Sequence, residues 1–138
     1  MSMQEIKLEP YISFYGDCEE ALNFYKKVFN GNFEIHQRYD NPAMNAPKEF
    51  HNKVLHASLQ FGSITILASD IISKQKEEAH SSSDVALSLT FPDNEEAQQV
   101  FEQLSEGGKV MVPFTKQFWG AWHGNLRDRF GIRWMINS

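Results

Sequence analysis

The 138-residue chain has no long apolar run, no cluster of Lys or Arg, and only one cysteine. No apolar stretch approaches the ~20 residues that a membrane-spanning helix needs, and the N-terminus MSMQEIKLEP lacks the basic and apolar blocks of a signal peptide. A formal net charge of −5 does not favour binding to nucleic acid or to an anionic membrane, which both attract positively charged surfaces. We therefore expect a cytoplasmic protein that binds neither nucleic acid nor membranes.

Cys18 has no second cysteine with which to form an internal disulfide, in keeping with a reducing compartment. It lies beside Glu19 and Glu20, whose negative charges disfavour a thiolate, so we predict that it is not a nucleophile. The chain also lacks a phosphate-binding P-loop, a serine nucleophile elbow and a zinc-protease helix motif.

What the chain does contain is a faint internal repeat. GDCEEALNFY at residues 16–25 is echoed by PDNEEAQQVF at residues 92–101, and FGSITILAS at residues 61–69 by FGIRWMINS at residues 130–138. Two echoes in the same order indicate a duplicated module. The length suits one domain, so we predict a single domain over residues 1–138, with module one at about 8–70, a linker at about 71–84 and module two at about 85–138.

Each module reads as strand, helix, then three strands. In module one we predict a helix from the N-cap Asp17 to the C-cap Gly31, a strand over 53–61 that buries Leu55, Ala57 and Leu59, and a loop over 40–50 long enough to be a lid. In module two we predict a helix capped by Asp93 and an edge or terminating strand at Pro113. This β-α-β-β-β order, repeated, predicts an α+β fold of two tandem modules.

Three blocks carry a resemblance to a known family: YISFYGDCEEALNFYKKVFNG (11–31), EEAQQVFEQLSEGGKV (95–110) and FWGAWHGNLRDRFGIRWMIN (118–137). Together they resemble the vicinal oxygen chelate superfamily, the glyoxalase and bleomycin-resistance fold. More closely they resemble its PhnB-like branch, whose members are often labelled 3-demethylubiquinone-9 3-methyltransferase domain proteins. The resemblance spans nearly the whole chain and implies a curved mixed sheet around a cleft. It leaves open whether the chain is an enzyme.

In metal-using relatives each module supplies one ligand near the start of its first strand and one on its last strand. The matching positions hold no His, Glu, Gln or Asp; they are Pro10, Ala86, Ile66 and Met135, with neighbours Thr65 and Trp134. We therefore predict no bound metal and no cofactor. The main alternative is a metal-dependent lyase or isomerase that uses His56 and His123 in a displaced geometry.

The family label suggests another alternative, a methyltransferase. A methyl donor such as S-adenosylmethionine usually sits over a Gly-rich turn from strand to helix. Here the first such turn is Gly16-Asp17-Cys18-Glu19-Glu20, whose acidic helix start repels the anionic groups that helix N-termini bind. We therefore expect binding of an unidentified small molecule in the cleft.

His56 and His123 occupy similar places, each a short step before its module's Phe-Gly pair, and could face one cavity. We predict a ligand site formed by these two histidines and their neighbours, namely Phe50, His56, Ser58, Trp119, Trp122, His123 and Met135. The alternatives are histidines hydrogen-bonded on a half-wet strand face, and tryptophans in the core or at a dimer interface.

The remaining acidic residues have simpler expected roles. Asp128 should make a turn hydrogen bond or an ion pair, and Asp70 should cap a strand end. The Glu pairs at the two helix starts should complement the helix dipoles. Exposed aromatic rings near the edge at Pro113 favour contact between chains, and we expect a homodimer, as relatives in this fold commonly are.

Overall fold

A computed structural model of the chain describes residues 6–72 and 85–138. It divides into two compact units, Met1–Ala79 and His80–Ser138. Nearly all of the linker predicted at 71–84 lies outside the described residues, at positions 73–84.

The first unit is a four-stranded sheet with one helix. Its elements are β1 (Tyr11–Phe14), α1 (Cys18–Phe29), β2 (Asn32–Arg38), β3 (Val54–Phe61) and β4 (Ile64–Asp70). The strand order is β1-β4-β3-β2, with β1 parallel to β4 and the other pairs antiparallel. The predicted loop after β2 contains two short 3-10 helices, Pro42–Met44 and Lys48–Phe50.

The second unit repeats this topology. Its elements are β5 (Leu87–Thr90), α2 (Asn94–Ser105), β6 (Lys109–Lys116), β7 (Trp122–Arg127) and β8 (Arg133–Asn137), in the order β5-β8-β7-β6 with β5 parallel to β8. The predicted α+β class and the repeated β-α-β-β-β order are therefore confirmed. Pro113 lies in β6, an edge strand, as predicted.

Each helix packs on one face of its own sheet because its apolar residues recur at helical spacing. In α1 the buried residues include Leu22 and Tyr25, and the ring of Phe29 stacks on Phe61 of β3 with centroids 4.1 Å apart. In α2 the buried residues are Ala97, Val100, Phe101 and Leu104. Neither described helix is long and apolar enough to cross a membrane.

The ends of the helices differ partly from expectation. Asp93 caps α2, since its Oδ1 accepts from the Glu95 N–H at 3.3 Å, but the Asp17 side chain makes no capping hydrogen bond to α1. The C-cap of α1 is Asn30, in the left-handed conformation at φ 51°, and not Gly31. Gly31 is needed for a different reason: a Cβ there would lie 2.5 Å from the Gln60 carbonyl oxygen.

The start of α1 is held instead by Asp70, the buried last residue of β4. Its Oδ1 accepts from the backbone N–H groups of Gly16 (2.8 Å) and Cys18 (3.0 Å), and its Oδ2 accepts from that of Val54 (2.9 Å). The buried Tyr39 hydroxyl donates to the Asp70 carbonyl oxygen at 2.7 Å. Asp70 is thus the strand-end cap that the sequence predicted, and it also joins β4 to the β1–α1 turn and to the start of β3.

In the second unit a buried Asp128 organises the turn between β7 and β8. Its Oδ1 accepts from the N–H groups of Phe130 and Ile132, each at 2.9 Å, and its Oδ2 accepts from Trp134 Nε1 at 2.9 Å. The predicted turn hydrogen bond is therefore confirmed. It also satisfies the indole N–H of Trp134, a fully buried side chain.

Strand β3 shows where a simple alternation fails. Ala57 and Leu59 are buried as predicted, but the third buried residue is Val54 and not Leu55, which is only half-buried. The cause is the pairing with β2, which shifts by one residue at His36 and again at Leu55. As a result, the alternation of buried and exposed residues before Ala57 is out of step with the alternation after it.

We predict that Asp70→Asn destabilises the protein strongly. The substitution keeps the shape of the side chain but turns an amide N–H₂ toward backbone N–H donors, and leaving a buried donor unsatisfied costs about 1–3 kcal/mol. Urea denaturation measures the change, with Asp93→Asn as a matched control at an exposed cap. An Asp70→Asn cost no larger than that of the control would contradict the role given to this carboxylate.

We predict that Cys18 resists alkylation in the folded protein. The side chain is fully buried, and burial, followed by the nearby Asp70 carboxylate, raises the pKa of the thiol well above its ordinary value. Mass spectrometry after iodoacetamide treatment should show modification only once denaturant is added. Rapid stoichiometric labelling without denaturant would show that Cys18 is accessible.

Candidate functional site

Each sheet has one face that its helix covers and one that it does not, which we call the helix-free face. In β7 of the second unit, Gly124 and Leu126 lie on the helix-covered face. A Cβ on Gly124 would lie 2.5 Å from the Phe101 ring of α2, and Leu126 is fully buried. Because side chains alternate along a strand, His123 and Asn125 project to the helix-free face. On β8, Trp134 and Ile136 are buried, and the alternate residues Met135 and Asn137 are half-buried.

The helix-free face of the first unit carries a cluster of rings, which we call the Tyr11 cluster: Tyr11, His36, His56 and Ser58. The His56 ring stacks on Tyr11 with centroids 6.1 Å apart and lies 5.2 Å from the His36 ring. His36 Nε2 is 2.9 Å from Ser58 Oγ, and Nδ1 is 3.9 Å from a Glu34 carboxylate oxygen. Three strands thus contribute to one partly exposed surface.

A polar groove of about 340 Å³ lies at the edge of the same sheet. It is bordered by β2 and the residues after it, namely Ile35, His36, Gln37, Arg38, Asp40 and Asn41. Arg38 donates to both carboxylate oxygens of Glu19, at 2.9 and 3.1 Å, and to the Asn52 carbonyl oxygen at 2.6 Å. The hydrogen bond from Arg38 lowers the pKa of Glu19, so this carboxylate is an ion-pair partner as well as a charge at a helix start.

On the second unit's helix-free face, His123 belongs to a hydrogen-bonded chain that crosses three strands. Its Nδ1 is 2.7 Å from Asn137 Oδ1. Asn137 Nδ2 donates to the Leu89 carbonyl oxygen at 3.0 Å and to Ser88 Oγ at 2.9 Å. The ring of His123 is therefore held in one orientation by β8 and β5.

Next to His123 on this face lies the pair Asn125 and Met135, which are directly opposite each other on β7 and β8. Ser88 of β5 is the other neighbour of Met135. Arg133 follows along β8, and its Nε donates to Asn125 Oδ1 at a long 3.4 Å. The face thus combines a histidine, an apolar side chain and a cation.

The other predicted site residues lie elsewhere. Trp122 packs against Phe114, with ring centroids 5.6 Å apart, and Phe114 packs in turn on Phe101 of α2. The structure therefore places Trp122 on the helix-covered side of β7, away from His123. Trp119 is 59% exposed in the turn before β7, with its ring against Phe118.

Phe50 ends the second 3-10 helix after β2 and is half-buried. Its backbone carbonyl accepts from the Lys53 N–H at 2.9 Å, which fixes the loop where it enters β3. Of the predicted residues, His56 and Ser58 lie on the helix-free face of one sheet, and His123 and Met135 lie on that of the other. That both sets line one cleft stays a prediction.

The predicted ligand site did not include Tyr11, His36 or Ser88. Alternation along the last strand predicts Arg133, Met135 and Asn137 on one side, and of these the predicted site named only Met135. His36 lies in β2 and its ring reaches Ser58. The alternation of β2 offered a weak signal, since Glu34 and His36 are two residues apart. The partners of His123 had no local signal because they depend on strand register.

The described residues hold no group of three or more His, Cys, Asp or Glu side chains that could bind a metal ion. His36, His56 and Glu34 lie close together in the first unit. Their contacts are ring packing and a 3.9 Å approach of His36 Nδ1 to a Glu34 carboxylate oxygen, which are not a converging set of ligands.

Comparison with known proteins places the chain among close structural relatives. Protein PA1353 from Pseudomonas aeruginosa is 32% identical, with a TM-score of 0.82 and coverage of 96% of this chain and 97% of the other. A Bacillus cereus PhnB protein, described as a putative 3-demethylubiquinone-9 3-methyltransferase, is 25% identical with a TM-score of 0.75, covering 94% and 97%. Protein YjdN of Escherichia coli is 28% identical over 94% of this chain and 93% of its own length.

A glyoxalase/bleomycin resistance protein/dioxygenase family enzyme from Burkholderia phytofirmans shares the fold, with a TM-score of 0.61 at 13% identity, over 92% of this chain and 94% of the other. The model of the family described as 3-demethylubiquinone-9 3-methyltransferase matches residues 6–137, almost the whole sequence. The chain therefore belongs to this PhnB-like family, on a glyoxalase/bleomycin-resistance-like fold.

Proposed function

We propose that this chain binds a small molecule on the helix-free faces of its sheets and uses no resident metal ion. The observation that carries the proposal is the Tyr11 cluster, in which three rings and a hydroxyl from three strands meet on a partly exposed surface. These rings lie on the face that α1 does not cover, so packing against the helix does not account for them. Flat rings with a few polar atoms are typical of small-molecule sites.

The donor set supports binding without a metal. The places where metal-using relatives carry ligands hold Pro10, Ala86, Ile66 and Met135, which offer no charged or imidazole donor. His56 and His123 lie on sheets of different units, and each already has partners within its own unit. A lyase or isomerase mechanism that depends on a metal therefore has less support than binding.

The family description names a methyl transfer, and the residues of this chain do not fit a methyl donor at the β1–α1 turn. The backbone N–H groups of Gly16 and Cys18, which would face an anionic group there, already donate to Asp70. Glu19 and Glu20 add negative charge at the same place. The turn is already occupied by the Asp70 carboxylate and is acidic, so it has no place for the anionic part of a methyl donor.

We also propose a cytoplasmic homodimer. A buried lone cysteine suits a reducing compartment. In β6, an edge strand, the consecutive residues Val110, Met111 and Val112 are exposed, as is Phe118 just beyond it. An apolar edge strand is a surface that a second copy could cover.

The ligand site is tested by screening planar aromatic fragments with saturation-transfer NMR. We expect some to bind, and His56→Ala to weaken them about three- to tenfold, since an aromatic pair contributes about 0.5–1.5 kcal/mol. The matched control is His51→Ala, because the His51 ring bonds to Ala46 in the loop outside the cluster. Equal binding to wild type and His56→Ala, or no binding at all, would refute the site.

The metal-free part of the proposal has its own measurement. Elemental analysis of protein purified without added metal should show no stoichiometric zinc, iron, manganese or nickel. A stoichiometric metal that is lost in His56→Ala would instead favour the metal-dependent lyase or isomerase.

The assembly is tested by light scattering. Wild type at micromolar concentration should have twice the chain mass, and Met111→Lys should lower it, because a charge on the exposed edge opposes its burial. Glu34→Lys is a control on an exposed position of β2 in the other unit. A monomer mass for wild type would refute the dimer.

A further inference from the structure

The hydrogen bond between His123 and Asn137 has a direction that the structure defines. The Asn137 side chain is anchored by the Leu89 carbonyl oxygen, 3.0 Å from Nδ2. A backbone carbonyl can only accept, so the amide N–H₂ of Asn137 must point toward Leu89. The amide oxygen, Oδ1, then points toward His123 and must accept a proton from it.

This assigns the tautomer of the neutral ring. Nδ1 of His123, 2.7 Å from Oδ1, carries the hydrogen, so Nε2 is left as a hydrogen-bond acceptor. Nε2 makes no hydrogen bond with any described residue. Among the described side chains, the atom that is buried without a hydrogen-bond partner is Asn94 Nδ2, so His123 Nε2 is not buried. It is therefore a solvent-accessible acceptor held in a fixed orientation.

A cation lies further along the same face. Arg133 is half-buried, its Nε makes the long contact with Asn125, and it has no salt bridge to any described carboxylate. On β7 the partner of Arg133 is Arg127, four residues after His123, which corresponds to roughly 13 Å along the strand. On β8, Met135 lies between Arg133 and Asn137, the partner of His123.

We propose that the helix-free face of the C-terminal sheet binds a small amphipathic anion. A hydroxyl or N–H group of the ligand donates to His123 Nε2, its apolar middle lies on Met135, and its acidic group pairs with Arg133. Asn137 acts as a positioning residue that sets the tautomer. This inference rests on the proposed small-molecule function and specifies its ligand class for the second unit.

The tautomer is tested by proton–nitrogen correlation spectra of protein with isotope-labelled histidine, recorded on the neutral rings. His123 should appear as the Nδ1–H form in wild type and shift toward the Nε2–H form in Asn137→Ala, with His51 unchanged as the internal control. Asn137→Asp keeps an oxygen opposite Nδ1 and should retain the Nδ1–H form, which covers the case where the alanine variant fails to fold. An Nε2–H tautomer in wild type would overturn the assignment.

The ligand class is tested with three named probes: para-hydroxyphenylpropionate, para-methoxyphenylpropionate, which cannot donate, and para-ethylphenol, which has no charge. NMR titration should show the hydroxy acid binding about tenfold more tightly than the methoxy acid, the loss expected when one good hydrogen bond is removed. Arg133→Gln should weaken the hydroxy acid but not the phenol. Arg129→Gln, at an exposed turn residue, is the matched control.

The outcomes separate the two proposals. Equal affinity of the hydroxy and methoxy acids, no effect of Arg133→Gln, or absence of binding overturns the inference for this face. If aromatic fragments still bind and lose affinity in His56→Ala, the proposed function stands without it. If no probe binds either sheet, both fail.

Discussion

The first unit depends on one buried carboxylate, that of Asp70. A buried charge is costly unless hydrogen bonds satisfy it, and here three backbone N–H groups and no cation do so among the residues described. Those N–H groups belong to the β1–α1 turn and to the start of β3, so the carboxylate fixes where α1 meets the sheet. It also occupies the N-terminus of α1, the usual place for an anionic ligand. The backbone N–H groups of Gly16 and Cys18 are therefore not available to an anionic ligand.

The second unit uses the same chemistry at a different place. Asp128 lies in the turn between β7 and β8, not at the end of the last strand. The two Phe-Gly pairs of the repeat therefore have different local structures. Phe61 is the last residue of β3 and pairs with Ile64, whereas Phe130 lies inside a longer turn that Asp128 organises. The modules therefore share their topology but have different turns and different buried carboxylates. Similar residues in the two repeats need not have the same surroundings.

Much of the fold could be predicted because its signals are local. The spacing of apolar residues in α1 and α2, the cap at Asp93 and the edge position of Pro113 each follow from neighbouring residues in the chain. The site could be predicted only in part. The sequence predicted site roles for His56 and His123, but their contacts with His36 and Asn137 join different strands, and register cannot be read from one strand. Trp122 was misjudged as a neighbour of His123 because consecutive residues of a strand project to opposite faces.

The two histidines have different surroundings in the two modules. Among the described residues, His56 is held by ring contacts with Tyr11 and His36 and makes no side-chain hydrogen bond, so its ring offers a flat surface without a fixed tautomer. His123 is held by a directional hydrogen bond that crosses to β8 and, through Asn137, to β5. Ring packing favours a planar group of any polarity, whereas an oriented acceptor selects a donor. The same topology therefore gives the two histidines different surroundings, rings around His56 and directional hydrogen bonds around His123.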